Sequence, residues 1–262
     1  MIHPGRFNYK VAVITGAAQG IGLTVATGMA REGAKLALVD RSELVRDVAE
    51  KLSADGVDAI PLIGDLEQYA DCSAVMAAAH QHFGRIDILI NNVGGTIWAK
   101  PYAEYEAAQI EAEIRRSLFP TLWCCRAVLP YMLKRKNGTI VNVSSVATRG
   151  LNRVPYGAAK GGVNSITANL AWEYAGWGIR VVATAPGGTE APERKVARGP
   201  GAKSKREQVW YQQLVDQTVN SSVLKRYGTL DEQAAVIMFL ASDEASYFTG
   251  EILHPDGGFV TE

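Results

Sequence analysis

The chain has 262 residues, 27 basic and 27 acidic, with 47% hydrophobic and 21% charged side chains. Those proportions are ordinary for a globular protein and exclude collagen-like repeats, a long coiled coil and general disorder. A chain of this size buries roughly 70–75% of its unfolded surface without a disulfide or metal staple, and zero formal charge removes the electrostatic case for a nucleic-acid partner.

Val11 to Ile14 is a short β-branched run that ends in a glycine-rich turn, and a helical pattern follows from about Ile21 to Glu32, closed by Gly33. Lys35 to Val39 is a second apolar run, ending at Asp40. The alternation continues with strand-like stretches at Asp58–Leu62, Asp87–Asn91, Gly138–Ser144, Ile179–Thr184 and Glu251–Leu253. Helical patterns lie between them at about 43–54, 68–83, 104–134, 156–176 and 231–241. Strands alternating with helices of this length imply an α/β fold: one Rossmann-like, doubly wound parallel sheet with helices on both faces. No linker divides the alternation, so residues 1–262 are expected to form a single domain.

One stretch breaks the rhythm, from about Gly187 to Asn220. It contains APERKVARGPGAKSKRE, with six basic residues against two acidic ones, and then a helical pattern from Glu207 to Thr218. Two readings are open: a solvated surface insertion, or a mobile lid over a ligand. The three cysteines, Cys72, Cys124 and Cys125, two of them adjacent, do not form a disulfide framework and fit a reducing, cytoplasmic compartment. MIHPGRFNYKVAVITG lacks a basic-then-apolar signal, and no run of ~18 apolar residues occurs, so no membrane partner is expected. His3, His80, His82 and His254 are scattered, and no metal site is expected.

The first turn reads Thr15-Gly16-Ala17-Ala18-Gln19-Gly20-Ile21-Gly22 between a strand and a helix, the setting of a phosphate-binding turn. Gly16, Gly20 and Gly22 let the backbone approach a pyrophosphate, and Gln19 and Ile21 lie at the helix N-terminus whose free N–H groups face it. Asp40, 18 residues after Gly22 at the end of the next strand, is placed to accept hydrogen bonds from an adenosine ribose. A 2′-phosphate beside that carboxylate would meet repulsion of about 4 kcal/mol at ~4 Å and an effective dielectric of ~20. The expected cofactor is therefore NAD, with Arg41 as a partial counterweight. Asp65, Leu66, Asn92 and Gly94 follow the third and fourth strands on the same edge and extend the row of cofactor contacts; taken singly they are ordinary turn residues.

Tyr156 and Lys160 stand four apart at the start of a helix and project from one face, after Ser144-Ser145 at the end of the preceding strand. Oxidising an alcohol requires removal of its proton while a hydride leaves. A free phenol ionises near ~10, too high for a base near neutrality, and a neighbouring ammonium favours the phenolate. Ser145 can hydrogen-bond the reacting oxygen. The plainer alternative is a half-buried tyrosine beside a surface lysine.

With TGAAQGIG, the Asp40 strand end, NNVGG, the Ser-Tyr-Lys set, APGG from Ala185 and the HPDGG tail in this order, the chain resembles the short-chain dehydrogenase/reductase family from about Lys10 to Gly258. The resemblance implies a seven-stranded parallel sheet, a nicotinamide cofactor and a homotetramer. It also implies Ser145 as the catalytic serine, Lys160 as a holder of the nicotinamide ribose, and Pro186 and Gly187 beside the nicotinamide. Three positions depart from the family pattern: Ser117 stands where the family often has a catalytic Asn, Val93 replaces Ala, and Ala191 replaces Thr, leaving Thr189 to meet the nicotinamide amide.

A closer resemblance, carried by NNVGGTIWAKPY, RRSLFPTLWCCRAVLPYML, SSVATRGLNRVPYGAAKGGVN and APGGTEAP, is to bacterial benzoate cis-diol dehydrogenases. It implies oxidation of 1,6-dihydroxycyclohexa-2,4-diene-1-carboxylate to catechol and carbon dioxide. Such a substrate is an anion, and Arg149 and Arg153 lie on the loop between Ser145 and Tyr156, either to hold its carboxylate or as solvated loop residues. Arg115 and Arg116 are weaker candidates, and Trp98 and Tyr102 are either walls for the ring or core residues. Two alternatives share these residues: a carbonyl reductase of the same family acting on another diol or ketone, and a nicotinamide-binding protein without turnover.

Overall fold

A computed structural model describes residues 3–258. Seven strands, β1 (Val11–Thr15), β2 (Lys35–Asp40), β3 (Ala59–Ile63), β4 (Ile88–Asn91), β5 (Gly138–Val143), β6 (Ile179–Thr184) and β7 (Ile252–Leu253), form one sheet in the order β3-β2-β1-β4-β5-β6-β7. Every pairing is parallel. The chain winds outward from β1 to β3, returns to place β4 against the other side of β1, and winds outward again to β7. The crevice beyond the carboxyl ends of β1 and β4, where the winding reverses, is where such sheets bind ligands.

Both faces of the sheet are covered, so the strands are largely apolar rather than alternating; β1, β4 and β5 are buried at every residue. Period two still assigns side chains to layers. Ala12 and Ile14 face a core with Val25 and Met29 of α1 (Gly20–Arg31), Val45 and Leu52 of α2 (Leu44–Ala54) and Ile237 of α8 (Leu230–Ala241). Val13 and Leu89 face the opposite core, with Met76 of α3 (Tyr69–Phe83), Met132 of α5 (Phe119–Arg135) and Ala171 of α6 (Val154–Tyr174). The thiols of Cys72, Cys124 and Cys125 are free and buried in this second layer.

The helix expected over 104–134 is two helices, α4 (Ala107–Ser117) and α5, separated at Leu118. Pro120 is the cause: it has no N–H to give the Arg116 carbonyl, and its ring crowds that carbonyl. Residues 102–104 form a separate 3-10 turn, and α4 begins only after a capping box between Glu106 and Gln109. In the 187–220 stretch, α7 (Lys205–Asn220) starts at a second capping box, Ser204 with Glu207. Thr189 makes an isolated parallel bridge with Gly228. Among the described residues no helix is long and apolar enough to cross a membrane.

A buried polar chain ties the central strands to α6. Asn91 and Asn142 are register partners across β4 and β5. Asn91 Nδ2 donates to Asn142 Oδ1 at 3.0 Å and Asn142 Nδ2 donates to Thr167 Oγ1 at 3.0 Å. Asn142→Leu takes one buried hydrogen bond from each partner, leaving Asn91 its contact to Cys125 Sγ and Thr167 its bond to the Val163 carbonyl, and is expected to lower stability by about 1–3 kcal/mol in urea unfolding, with the unfolding slope unchanged.

Candidate active site

The turn after β1 is shaped by glycines. Gly16 and Gly20 have φ of +66° and +60°, a region that side-chain-bearing residues rarely adopt, and a Cβ on Gly22 would overlap the Gly16 carbonyl oxygen. Asn92 Nδ2 clamps the turn from β4, donating to the carbonyls of Thr15 at 3.0 Å and Gly16 at 3.2 Å. The N-terminus of α1 has no side-chain cap and no acidic residue in its first turn, which leaves its N–H groups and positive dipole end for an anion. At the end of β2, Asp40 accepts the Ala18 N–H at 3.1 Å on one oxygen and the Ser42 N–H at 3.0 Å on the other. Those bonds hold the carboxylate in one orientation and leave a lone pair on each oxygen for ligand hydroxyls. Asp65 forms a turn of the same kind, accepting the Glu67 N–H at 3.2 Å.

The other end of the cleft is built by β5 and α6. Ser145 Oγ accepts the Ala147 N–H at 3.1 Å and starts the 3-10 turn Val146–Arg149. Tyr156 and Lys160 are one helical turn apart on α6, 8% and 2% exposed. Lys160 Nζ donates to the Val143 carbonyl at 2.6 Å and lies 5.9 Å from the centre of the Tyr156 ring. Gly94, with φ +148°, keeps the space beside that ammonium open: a Cβ there would sit 3.0 Å from Nζ. Burial pushes the Lys160 pKa down to about 7, and the charge of Arg198 adds to the effect.

One cleft of about 320 Å³ joins the two ends. Of the residues expected at the site, all but Gly22, Ser117 and Arg149 line it, from Gln19, Ile21 and Arg41 at one end to Pro186, Gly187 and Thr189 at the other. Gly22 lies beneath the turn. Ser117, expected as a catalytic residue, is fully buried behind Gly94-Gly95, where its hydroxyl accepts the Gly95 N–H at 3.3 Å. Arg149, expected as a substrate contact, ends the 3-10 turn after Ser145 on the exposed surface, outside the cleft. Arg153, at the N-cap of α6, lines the cleft instead, and its Nε is buried without a hydrogen-bond partner. Arg116 also lines it, with Nε 2.9 Å from Glu67, whereas Arg115 is exposed over the Phe119 ring.

Trp98 and Tyr102 do not line the cleft. The N–H groups of Ile97 and Trp98 both donate to Oε1 of the buried Glu113, at 2.8 and 2.9 Å, and Tyr102 is largely exposed. Sequence reasoning missed Arg194, Arg198 and Tyr227, all of which line the cleft. The two arginines belong to the basic 187–220 stretch, whose six-to-two charge imbalance was the available signal. Gln19 is what carries that stretch inward: its Nε2 donates to the Val196 carbonyl at 2.9 Å, and its Oε1 accepts the N–H groups of Lys195 and Val196 at 3.0 and 3.2 Å.

The buried ammonium has a thermodynamic signature. Unfolding restores the Lys160 pKa to ~10.4, so its penalty on the folded state is fully present below pH 7 and shrinks as pH rises toward 10.4. Relative to Lys160→Met, the cofactor-free protein is expected to gain about 1–2 kcal/mol between pH 7 and 8.5 in urea unfolding. Above ~8.5 the thiols of Cys124 and Cys125, pushed up by their surroundings, act in the opposite sense in both proteins.

The chain is similar to known proteins. A family model described as short chain dehydrogenase matches residues 10–199. Over 253 residues the chain is 62% identical to the 1,6-dihydroxycyclohexa-2,4-diene-1-carboxylate dehydrogenase of Pseudomonas putida, covering 97% of this chain and 93% of that one. It is 57% identical over 253 residues to the enzyme of the same name from Acinetobacter baylyi, covering 97% of each chain. Among solved structures, an NAD+-bound xylitol dehydrogenase superposes with a TM-score of 0.84 at 27% identity, covering 96% of this chain and 99% of that one. With a glycine turn, an acidic β2 end and a Ser-Tyr-Lys set on one cleft, and a family match over most of its length, this chain belongs to the short-chain dehydrogenase family.

Proposed function

We propose that this protein oxidises 1,6-dihydroxycyclohexa-2,4-diene-1-carboxylate to catechol and carbon dioxide with NAD as the hydride acceptor. The observation that carries the reading is the identity of 62% and 57%, over nearly full length, to two dehydrogenases named for that substrate. The cleft supports it with a glycine cradle that a Cβ would fill, a carboxylate at the ribose position and a tyrosine–lysine pair beside Ser145.

Gly16, Gly20 and the α1 N-terminus hold the pyrophosphate, Asp40 the adenosine ribose, and Lys160 the nicotinamide ribose. Asn92, Gly94, Pro186, Gly187 and Thr189 frame the nicotinamide end, while Ile21, Arg41, Asp65 and Leu66 frame the adenosine half. When bound, the cofactor accepts a hydride from C6 of the diol. Ser145 orients the C6 hydroxyl and Tyr156 removes its proton, assisted by the Lys160 ammonium. The C6 ketone is β to the carboxylate, so carbon dioxide departs and leaves an enolate across C1 and C6. That third double bond makes the ring aromatic, and Tyr156 returns its proton to the C6 oxygen to give catechol. The balance is one diol carboxylate and one NAD+ to one catechol, one carbon dioxide and one NADH. Ser117 serves as a positioning residue behind Gly95, and Arg153 faces the anionic substrate.

The 262 residues act as one cofactor-binding domain, and residues 187–220 serve as its lid, held to the glycine turn by Gln19. A cytoplasmic homotetramer completes the reading: the free thiols fit a reducing compartment, and Trp172 on α6, 89% exposed, is apolar surface that a second copy would cover.

Mixing the protein with NAD and the benzoate cis-diol is expected to yield NADH and catechol in equal amounts, with Tyr156→Phe retaining NAD binding but losing most of kcat. Absence of both products from folded wild-type protein would reject the substrate. Asp40→Ala is expected to narrow the preference for NAD over NADP by about tenfold, read as the ratio of kcat/KM for the two cofactors; an unchanged ratio would assign the choice to another group.

A further inference from the structure

Three arginines converge on the catalytic tyrosine without a protein partner for their charge. Arg153, Arg194 and Arg198 all line the cleft beside Tyr156. Among the described residues, none of the three guanidinium groups makes an ion pair or a side-chain hydrogen bond, whereas the neighbouring Arg116 is satisfied by Glu67. Arg198 is held firmly in place. Its backbone carbonyl accepts from Arg116 at 3.4 Å, and its guanidinium lies against Gly95, where a Cβ would overlap Nε. Gly95 has φ +142° and no side chain, so the site is left open for that guanidinium. Gln19 fixes the intervening residues 195–196. Glu113 does not neutralise Arg198 by contact: its Oε1 is taken by two backbone N–H groups, and burial pushes its carboxyl pKa up, toward the neutral form.

Arg194 and Arg198 reach the cleft from the exposed segment with their charges unpaired, and the buried Nε of Arg153 has no partner, which is costly unless a ligand completes it. Desolvation disfavours the charge on both Arg194 and Arg198 in the free protein, with repulsion from Arg198 adding at Arg194 and from Arg116 at Arg198, an imbalance that an anion in the cleft would relieve. We infer that Arg194 and Arg198, carried into the cleft by the 187–220 segment, form with Arg153 a clamp for the substrate carboxylate, so that this segment selects anionic ring diols over neutral ones. The inference rests on the proposed reaction and adds the residues that choose its substrate. Guanidinium groups suit the task because each offers two parallel donors to a carboxylate.

The test compares wild type with Arg198→Gln and Arg194→Gln on the carboxylated diol and on the neutral cis-cyclohexa-3,5-diene-1,2-diol. The ratio of kcat/KM for the acid to that for the neutral diol is expected to fall roughly ten- to a hundredfold, the loss of a charge-assisted bond, through KM for the acid. Arg198→Lys, which keeps the charge and loses the fork, should recover part of the ratio. An unchanged ratio, or a rise in KM for NAD as large as that for the acid, would overturn the clamp; the latter would assign the arginines to the pyrophosphate. A calorimetric titration with benzoate in the presence of NADH separates this inference from the proposed reaction. If wild type fails to turn over the acid yet binds benzoate at least tenfold more tightly than Arg198→Gln, the clamp stands and the substrate is wrong. Equal benzoate affinity in the two proteins overturns the clamp.

Discussion

The bond from Lys160 Nζ to the Val143 carbonyl, 2.6 Å long and fully buried, is the contact on which the catalytic end depends. An ammonium is costly to bury, and here a strand-end carbonyl receives one of its three protons. Because Lys160 and Tyr156 share a helix face, drawing the lysine onto β5 also delivers the phenol to the carboxyl edge of the sheet, next to Ser145 on the following turn. Gly94, just after β4, is the counterpart. Without a side chain it leaves the ammonium accessible from the cleft, where a ribose or a phenolate can complete its hydrogen bonds.

The two ends of the cleft are joined by ties that run across the sheet rather than along the chain. Asn92 reaches back to the Thr15 and Gly16 carbonyls, the Asn91–Asn142–Thr167 chain links β4 and β5 to α6, and Gln19 reaches forward to Lys195 and Val196. The last of these gives the glycine turn a second use. Its glycines shape an anion cradle, and its one amide side chain holds a basic segment over that cradle. The result is a cleft with an acidic outer end at Asp40 and Asp65 and a strongly basic inner end at Lys160, Arg153, Arg194 and Arg198. That polarity suits a cofactor with ribose hydroxyls outermost and a substrate whose carboxylate lies innermost.

Much of this was legible in the amino-acid order because it is local. The β-branched run before Gly16, the Asp40 strand end and the four-residue spacing of Tyr156 and Lys160 each depend on neighbours within a few residues, and each element appears within a few residues of its expected place. The helix over 104–134 shows the limit of periodicity. Its apolar pattern continues through Leu118, but Pro120 breaks the backbone ladder, and the break brings Ser117 behind Gly95. Arg149 and Arg153 show a second limit. Four residues apart on one loop, they have opposite fates because Arg149 ends a 3-10 turn on the surface while Arg153 caps α6 over the cleft, and nothing in their own identity distinguishes them.

By itself, then, the sequence determined the fold, the glycine turn after β1, the carboxylate at the end of β2 and the placement of Ser145, Tyr156 and Lys160 on one cleft, all of which follow from hydrophobic period, glycine placement and short spacings. Only the tertiary structure decided which cations face the reacting tyrosine. Arg194 and Arg198 are 38 and 42 residues beyond Tyr156 in the chain, in a stretch whose composition reads equally well as solvated surface. What turns them inward is a contact between Gln19 and Val196, two residues 177 positions apart. Sequence patterns report local backbone preference, whereas the placement of a long charged side chain at a cleft depends on which distant surface meets it.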